Sequence, residues 1–150
     1  MRTFLLVIHI LAAGAWIGAN VTQAVVTPRI AKQGGASAAT WMQATVTMGR
    51  VLYSPAAVVL LVTGFALVLR SGSPYEFEQA FVIVGIAVVV VATFLGIRVF
   101  GPGGQRAAAA FEAGNGDGAR QIVGRLGLYG LLDTVLAVVA VTAMVAKWGV

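Results

Sequence analysis

Residues 80–97 read AFVIVGIAVVVVATFLGI, an uncharged run that is long enough to cross the hydrocarbon layer of a bilayer. Three further apolar stretches accompany it, and the predicted spans cover residues 3–26, 51–69, 79–100 and 126–146. Only closed barrels and helices satisfy their backbone hydrogen bonds in lipid, and runs of this length are typical of helices. The sequence therefore predicts an all-α fold, a four-helix transmembrane bundle with up-down-up-down topology that forms a single domain over residues 1–150.

The composition excludes a water-soluble globule, because 59% of the residues are hydrophobic and 19 of the 150 are glycine. The net charge of +5 comes from basic residues that stand singly near the ends of the spans. That arrangement indicates contact with a lipid bilayer and no nucleic acid as partner. Cysteine is absent, which excludes thiol chemistry. No nucleotide-binding or hydrolase motif is present, so an enzyme is not the favoured interpretation.

Helix-breaking residues predict where the spans end. Pro28 is expected to stop the first helix, and Ser37 is a candidate N-cap for the next. The segment 70–74 is expected to close the second span, and the Gly-Pro-Gly-Gly segment 101–104 is expected to close the third. Residues 114–118 read as a loop, with a short surface helix on either side of it.

The distribution of Lys and Arg predicts the orientation of the bundle. Seven lie in or beside the connections after spans one and three, and three lie on the other side. The two sets are Arg29, Lys32, Arg50, Arg98, Arg106, Arg120 and Arg125, against Arg2, Arg70 and Lys147. Under the positive-inside rule both termini are outside a plasma membrane that the protein crosses several times.

The polar residues of the first span share one face. At 100° per residue, Trp16, Asn20 and Gln23 all fall within about 40° of His9. Because polar groups in hydrocarbon are costly without partners, this face is expected to point into the bundle and to bind a ligand or partner through His9, Trp16 and Asn20.

The opposite face of the first span carries a pair of glycines, Gly14 and Gly18. Small residues four apart allow two transmembrane helices to approach closely. A homo-oligomer, with a dimer as its simplest form, or a complex with a partner membrane protein is therefore expected.

His9 is the only histidine in the chain and lies about two turns from the start of the first span. Three interpretations are open for it. A neutral imidazole could join two helices by a hydrogen bond, the ring could be an axial ligand of haem b iron, or it could carry a proton or another metal. Haem iron held by two histidines would need a second chain.

Asp133 is the only acidic residue inside a span, so it must be protonated or paired. Arg50 and Arg98 are expected at the same membrane depth, which predicts an ion pair, and His9 is expected to lie too far away for contact. Residues of the same depth or the same helix face complete a predicted intramembrane polar cluster of Asp133, Arg50, Arg98, Asn20, Gln23 and Tyr129. The cluster either fixes the register of the helices or relays protons.

Three short motifs resemble known membrane families. His9-Ile-Leu-Ala-Ala-Gly-Ala-Trp16-Ile-Gly18 is similar to the first helix of copper-resistance D proteins, HemJ-type protoporphyrinogen oxidases and related small predicted integral membrane proteins. Arg50-Val-Leu-Tyr-Ser-Pro55 and Leu61-Val-Thr-Gly64 resemble their second helix. Asp133 with Met144-Val-Ala-Lys147 is most similar to an uncharacterised four-helix family of that set. The resemblance implies a four-helix bundle and, from the HemJ-type proteins, a haem-facing His9.

These observations favour a small accessory or scaffold subunit whose first helix binds a ligand or partner. The first alternative is a haem b protein of electron transfer or haem metabolism, with His9 as the axial ligand. The second is a proton-coupled carrier of small molecules that uses Asp133 and Arg50.

Overall fold

The computed structural model describes residues 1–69 and 76–149, and its described part is almost entirely helical. Six α-helices follow one another: α1 (Arg2–Gln33), α2 (Gly35–Met48), α3 (Ser54–Leu69), α4 (Ala80–Leu95), α5 (Gly101–Glu112) and α6 (Gly116–Ala146). A π-helical turn, Gly49–Tyr53, joins α2 to α3, and a second one, Gly96–Phe100, joins α4 to α5. The described chain therefore forms four long helical rods.

Each rod is long and apolar enough to cross a membrane. The rods cover Arg2–Gln33, Gly35–Leu69, Ala80–Glu112 and Gly116–Ala146, with 31 to 35 residues each. At 1.5 Å per residue a rod of this size extends about 48 Å, well beyond the ~30 Å of the hydrocarbon layer. The four-helix transmembrane bundle predicted from the sequence is confirmed, and the protein is a multi-pass membrane protein.

The structure corrects the predicted ends of the first two helices. Pro28 lies inside α1, because it removes only one backbone hydrogen bond while Ile30 and Ala31 continue the helix into a packed core. The second rod begins at Gly35, two residues before Ser37, after a turn in which Gly34 and Gly35 have φ of 68° and 61°. The expected end of the second span, at 70–74, lies outside the described residues.

The glycine-rich segment 101–104 is also helical, contrary to the predicted break. Its buried glycines allow close packing: a Cβ on Gly103 would lie 2.6 Å from Leu126 Cδ2, and one on Gly104 would lie 2.6 Å from Val46 Cγ2. Contacts of this kind offset the poor helix propensity of glycine. The predicted 114–118 loop shrinks to a turn at 113–115, and the Asn115 side chain caps α6 by accepting from the Gly118 amide at 3.0 Å.

The two ends of the bundle are packed differently. At one end, which we call the packed end, α5 packs one face against α2 and α6 and continues the third rod, so it is not the separate surface helix expected from the sequence. This core is rich in alanine and consists of Ala31, Ala38, Ala39, Met42, Ala107, Ala108, Phe111, Ala119 and Val123. At the other end, the cavity end, the start of α4 meets the end of α6, and the Phe81 amide donates to the Trp148 carbonyl oxygen at 3.1 Å.

Candidate functional site

Asp133 lies in the middle of the bundle with 4% of its surface exposed. Its Oδ2 atom accepts two hydrogen bonds from α1, from Trp16 Nε1 at 3.0 Å and from Asn20 Nδ2 at 2.7 Å. Trp16 and Asn20 are four residues apart and therefore share one face of α1. The face predicted to point inward thus holds a carboxylate of α6 between two donors.

A chain of hydrogen bonds extends from Asp133 toward the second rod. Tyr53 donates its hydroxyl to Asn20 Oδ1 at 2.7 Å and accepts from Gln23 Nε2 at 2.9 Å. The rings of Tyr53 and Trp16 are packed edge to face, 5.3 Å apart. We call Trp16, Asn20, Gln23, Tyr53 and Asp133 the polar cluster. It joins three of the four rods.

The second carboxylate oxygen of Asp133 differs from the first. Oδ1 is buried and accepts no hydrogen bond in the described chain. An unmade hydrogen bond at a buried polar atom costs roughly 1–3 kcal/mol, and more when the group is charged. Such an atom requires a physical explanation, because buried polar groups in native proteins almost always have a partner.

His9 lies two turns from Trp16 along α1 and is also buried, with 9% of its surface exposed. Its Nδ1 lies 2.8 Å from Thr63 Oγ1, and the Thr63 hydroxyl lies 2.5 Å from the Val59 carbonyl oxygen. Because the hydroxyl has one proton and donates it to that carbonyl, it accepts from Nδ1–H of the ring. With this proton on the hydroxyl, the ring donates from Nδ1 and Nε2 keeps its lone pair.

A cavity of about 510 Å³ occupies the cavity end, and both His9 and Asp133 line it. The rest of its wall is mostly aliphatic and aromatic, with Trp16 and Phe81 among its larger side chains. Volume and lining are those of binding sites for small molecules, which are mostly apolar and have a few oriented polar groups. His9 and Asp133 share no hydrogen bond, so they are separate polar points on a wall that Arg2 and Lys147 also line.

Three residues of the predicted cluster are elsewhere. Arg50 and Arg98 lie on the exposed surfaces of the two π-helical turns, and the described residues contain no ion pair that involves Asp133. The predicted ion pair is wrong. Two side chains at the same membrane depth on different rods can point in different directions around the axes of those rods. Tyr129 is 43% exposed and forms no hydrogen bond to the polar cluster within the described chain.

Two residues of the site were missed by the sequence analysis, Tyr53 and Thr63. Both lie within motifs that carried the family resemblance, and Thr63 is a single polar side chain in an otherwise apolar stretch of the second rod. The isolation of Thr63 was a usable signal, since an isolated polar group in a span needs a partner on another helix.

The described residues contain no group of three or more His, Cys, Asp or Glu side chains that could hold a metal ion. On the outside of α1, a Cβ on Gly14 or Gly18 would meet no atom within 4 Å, so these glycines face away from the other rods.

A family model described as "Predicted integral membrane protein (DUF2269)" matches residues 3–148, which is nearly the whole chain. No curated protein and no solved structure matches the chain.

Proposed function

Since the chain belongs to this family of predicted integral membrane proteins, we propose that it is an accessory subunit of the plasma membrane that holds a lipophilic small molecule in its cavity. The cavity of about 510 Å³ carries this proposal. The cavity is partly open to the outside of the bundle, and its apolar wall lacks dispersion contacts wherever it stays unfilled. A bound apolar molecule would restore those contacts.

The test uses Trp16 as a reporter, because its ring lines the cavity. Replacing the two other tryptophans, Trp41→Phe and Trp148→Phe, leaves Trp16 as the only tryptophan. The probe is para-bromoethylbenzene, whose bromine quenches indole fluorescence on contact. We expect quenching that saturates with probe concentration in detergent-purified protein.

A matched pair of variants on α6 separates binding in the cavity from partition into detergent. Ala137→Phe places a ring in the cavity that Ala137 lines, whereas Val138→Phe enlarges a side chain that is 50% exposed on the outside. Saturable quenching should disappear in Ala137→Phe and persist in Val138→Phe. Quenching that rises linearly and equally in all three proteins would contradict the proposal.

The second candidate function is haem b binding, which the resemblance of the first helix to HemJ-type proteins implies. The observation that favours it is His9, which lines the cavity and whose Nδ1 is hydrogen-bonded to the Thr63 hydroxyl. Histidines that bind metals commonly donate their other ring N–H in this way. Bound haem would supply one-electron chemistry, and His9 would hold the iron. Protein expressed with haem precursor should then show a Soret band that His9→Ala removes, and the absence of a band would exclude haem.

The proton-coupled carrier remains a hypothesis that rests on Asp133, since Arg50 lies outside the polar cluster. Asp133→Asn should abolish pH-dependent uptake into liposomes if this hypothesis holds, and unchanged uptake would contradict it.

The proposal also includes a homodimer through the outer face of α1. Gly14 and Gly18 support it because their surface is unobstructed by the other rods. Gly14→Leu with Gly18→Leu should convert the dimer to a monomer in size-exclusion chromatography with light scattering. A mass that stays the same would remove this interface.

A further inference from the structure

We infer that the ligand carries a hydrogen-bond donor, an N–H or an O–H group, which pairs with Oδ1 of Asp133 at the inner end of the cavity. This inference rests on the proposed binding of a lipophilic molecule there and specifies the chemistry of that molecule. The unpartnered oxygen and the cavity are independent observations, and both belong to the same residue.

The neighbours of Asp133 are arranged so that one oxygen is satisfied and the other is not. Trp16 and Asn20 both donate to Oδ2. The groups they present to the carboxylate, the indole Nε1–H and the amide Nδ2–H, can only donate. The Asn20 amide oxygen is itself occupied, because it accepts from Tyr53. The polar cluster therefore holds the carboxyl group in one orientation, and Oδ1 is the buried oxygen that lacks a partner, on a residue that lines the cavity.

The described residues supply no counter-ion for this carboxylate. The single ion pair in the described residues, Arg120 with Asp117, lies in the first turn of α6, and the two arginines predicted to pair with Asp133 are exposed. A buried carboxyl group without a cation is either protonated, in which case Oδ1–H donates, or ionised at a cost that a charge-assisted bond from a ligand would reduce, and we infer the ionised form. An ammonium group supplies both a donor and a charge, and a hydroxyl group supplies the donor alone.

Arg2 and Lys147 also line the cavity but lie far from Oδ1. Each is 14 residues along its helix from the polar cluster, Arg2 from Trp16 and Lys147 from Asp133, which is about 21 Å at 1.5 Å per residue. At that separation each repels a small cation at Asp133 about seven times less strongly than the carboxylate attracts it from about 3 Å. A compact amine can therefore bind at the inner end without contact with either residue.

The experiment compares probes of similar size in the protein that retains only Trp16. Para-bromobenzylamine is a donor, para-bromobenzyl alcohol is both donor and acceptor, para-bromoacetophenone is only an acceptor, and para-bromoethylbenzene is neither. We expect the amine to bind at least about tenfold more tightly than para-bromoethylbenzene, because a hydrogen bond to a charged group is worth more than the roughly 1.4 kcal/mol that corresponds to tenfold. Equal dissociation constants for the amine, the alcohol and para-bromoethylbenzene would overturn the inference.

Asp133→Asn should reverse the preference among the probes. The asparagine oxygen can accept from Trp16 and Asn20 as Oδ2 does, so its NH₂ group takes the place of Oδ1 and converts an acceptor into a donor. The preference should then change sign: the amine should lose its tenfold advantage, and para-bromoacetophenone should gain affinity by several-fold. An amine preference that survives in Asp133→Asn would assign the donor to another residue and overturn the inference.

The probe series separates this inference from the proposed function. If para-bromoethylbenzene binds saturably and the amine binds no better, the cavity is a binding site and the assignment to Oδ1 is wrong. If no probe binds saturably, the proposed function itself is wrong. Comparison of the amine with the alcohol separates the two donor classes, since only an ionised Asp133 gives the amine an advantage from charge. The comparison among probes in the parent protein remains decisive even if Asp133→Asn fails to fold.

Discussion

Asn20→Ala should lower the free energy of unfolding by about 2 kcal/mol. The change removes the 2.7 Å hydrogen bond to Asp133 and leaves the Tyr53 hydroxyl without its acceptor. Hydrogen bonds to charged groups are worth about 1.5–3 kcal/mol, whereas interhelical pairs in membranes average about 0.6 kcal/mol because the reference state also finds partners. One strong and one ordinary bond give the expected value.

The assay is reversible unfolding in mixed micelles of dodecyl maltoside and dodecyl sulfate, followed by circular dichroism. Thr22→Ala is the matched control on the same helix, since Thr22 is exposed and its hydroxyl donates to the Gly18 carbonyl oxygen. It should change the free energy of unfolding by less than about 0.5 kcal/mol. Tyr53→Phe should cost about 1 kcal/mol, and the double variant of Asn20 and Tyr53 should cost less than the sum of the two. Additive effects would refute the connected cluster.

Three further predictions test the packed end, the His9 contact and the orientation. Gly104→Ala should cost about 1–3 kcal/mol in the same unfolding assay, because its Cβ would lie 2.6 Å from Val46 Cγ2, and Gly49→Ala, which meets no atom within 4 Å, should cost less than half as much. Thr63→Val should remove the partner of His9 Nδ1, and nitrogen NMR should then show both tautomers of the ring in place of one. Cysteine introduced at Asn115 should react with a membrane-impermeant maleimide only after the cells are opened, whereas cysteine at Trp148 should react in intact cells; the reverse pattern would contradict the predicted orientation.

The sequence was informative wherever a single helix decided the outcome. The four apolar runs predicted the four rods, because length and hydropathy are properties of one segment. The shared face of His9, Trp16 and Asn20 followed from helix geometry alone, and all three point toward other rods in the structure. Residue periodicity gives the direction in which a side chain points around the axis of its helix. No knowledge of the neighbouring helices is needed for that.

The errors arose where the outcome depended on two helices together. Arg50 and Arg98 were paired with Asp133 from depth alone, and depth does not fix the rotation of each rod about its axis. The segment 101–104 looked like a break because glycine and proline have poor helix propensity. Its glycines instead permit the contact with Val46 and Leu126 that keeps the segment helical.

The cavity could not be predicted from the sequence for a related reason. An unfilled volume is set by the separation of the rods, and the same apolar side chains could line either a tight seam or a void. At the packed end the buried residues are chiefly alanine and glycine, so helix axes can approach and the interface excludes a ligand. At the cavity end the lining side chains are larger, yet they leave about 510 Å³ unfilled.

The position of the polar cluster between these two ends gives it two roles that follow from the same contacts. Toward the packed end, Gln23 and Tyr53 use their hydrogen bonds to join α1 to the second rod. Toward the cavity, Asp133 is held by Trp16 and Asn20 with one oxygen left over. A cluster that served only to fix helix register would gain from satisfying both oxygens, since an unmade bond in a buried site is a direct cost. The asymmetry of Asp133 is therefore the observation on which the proposed ligand-binding role rests.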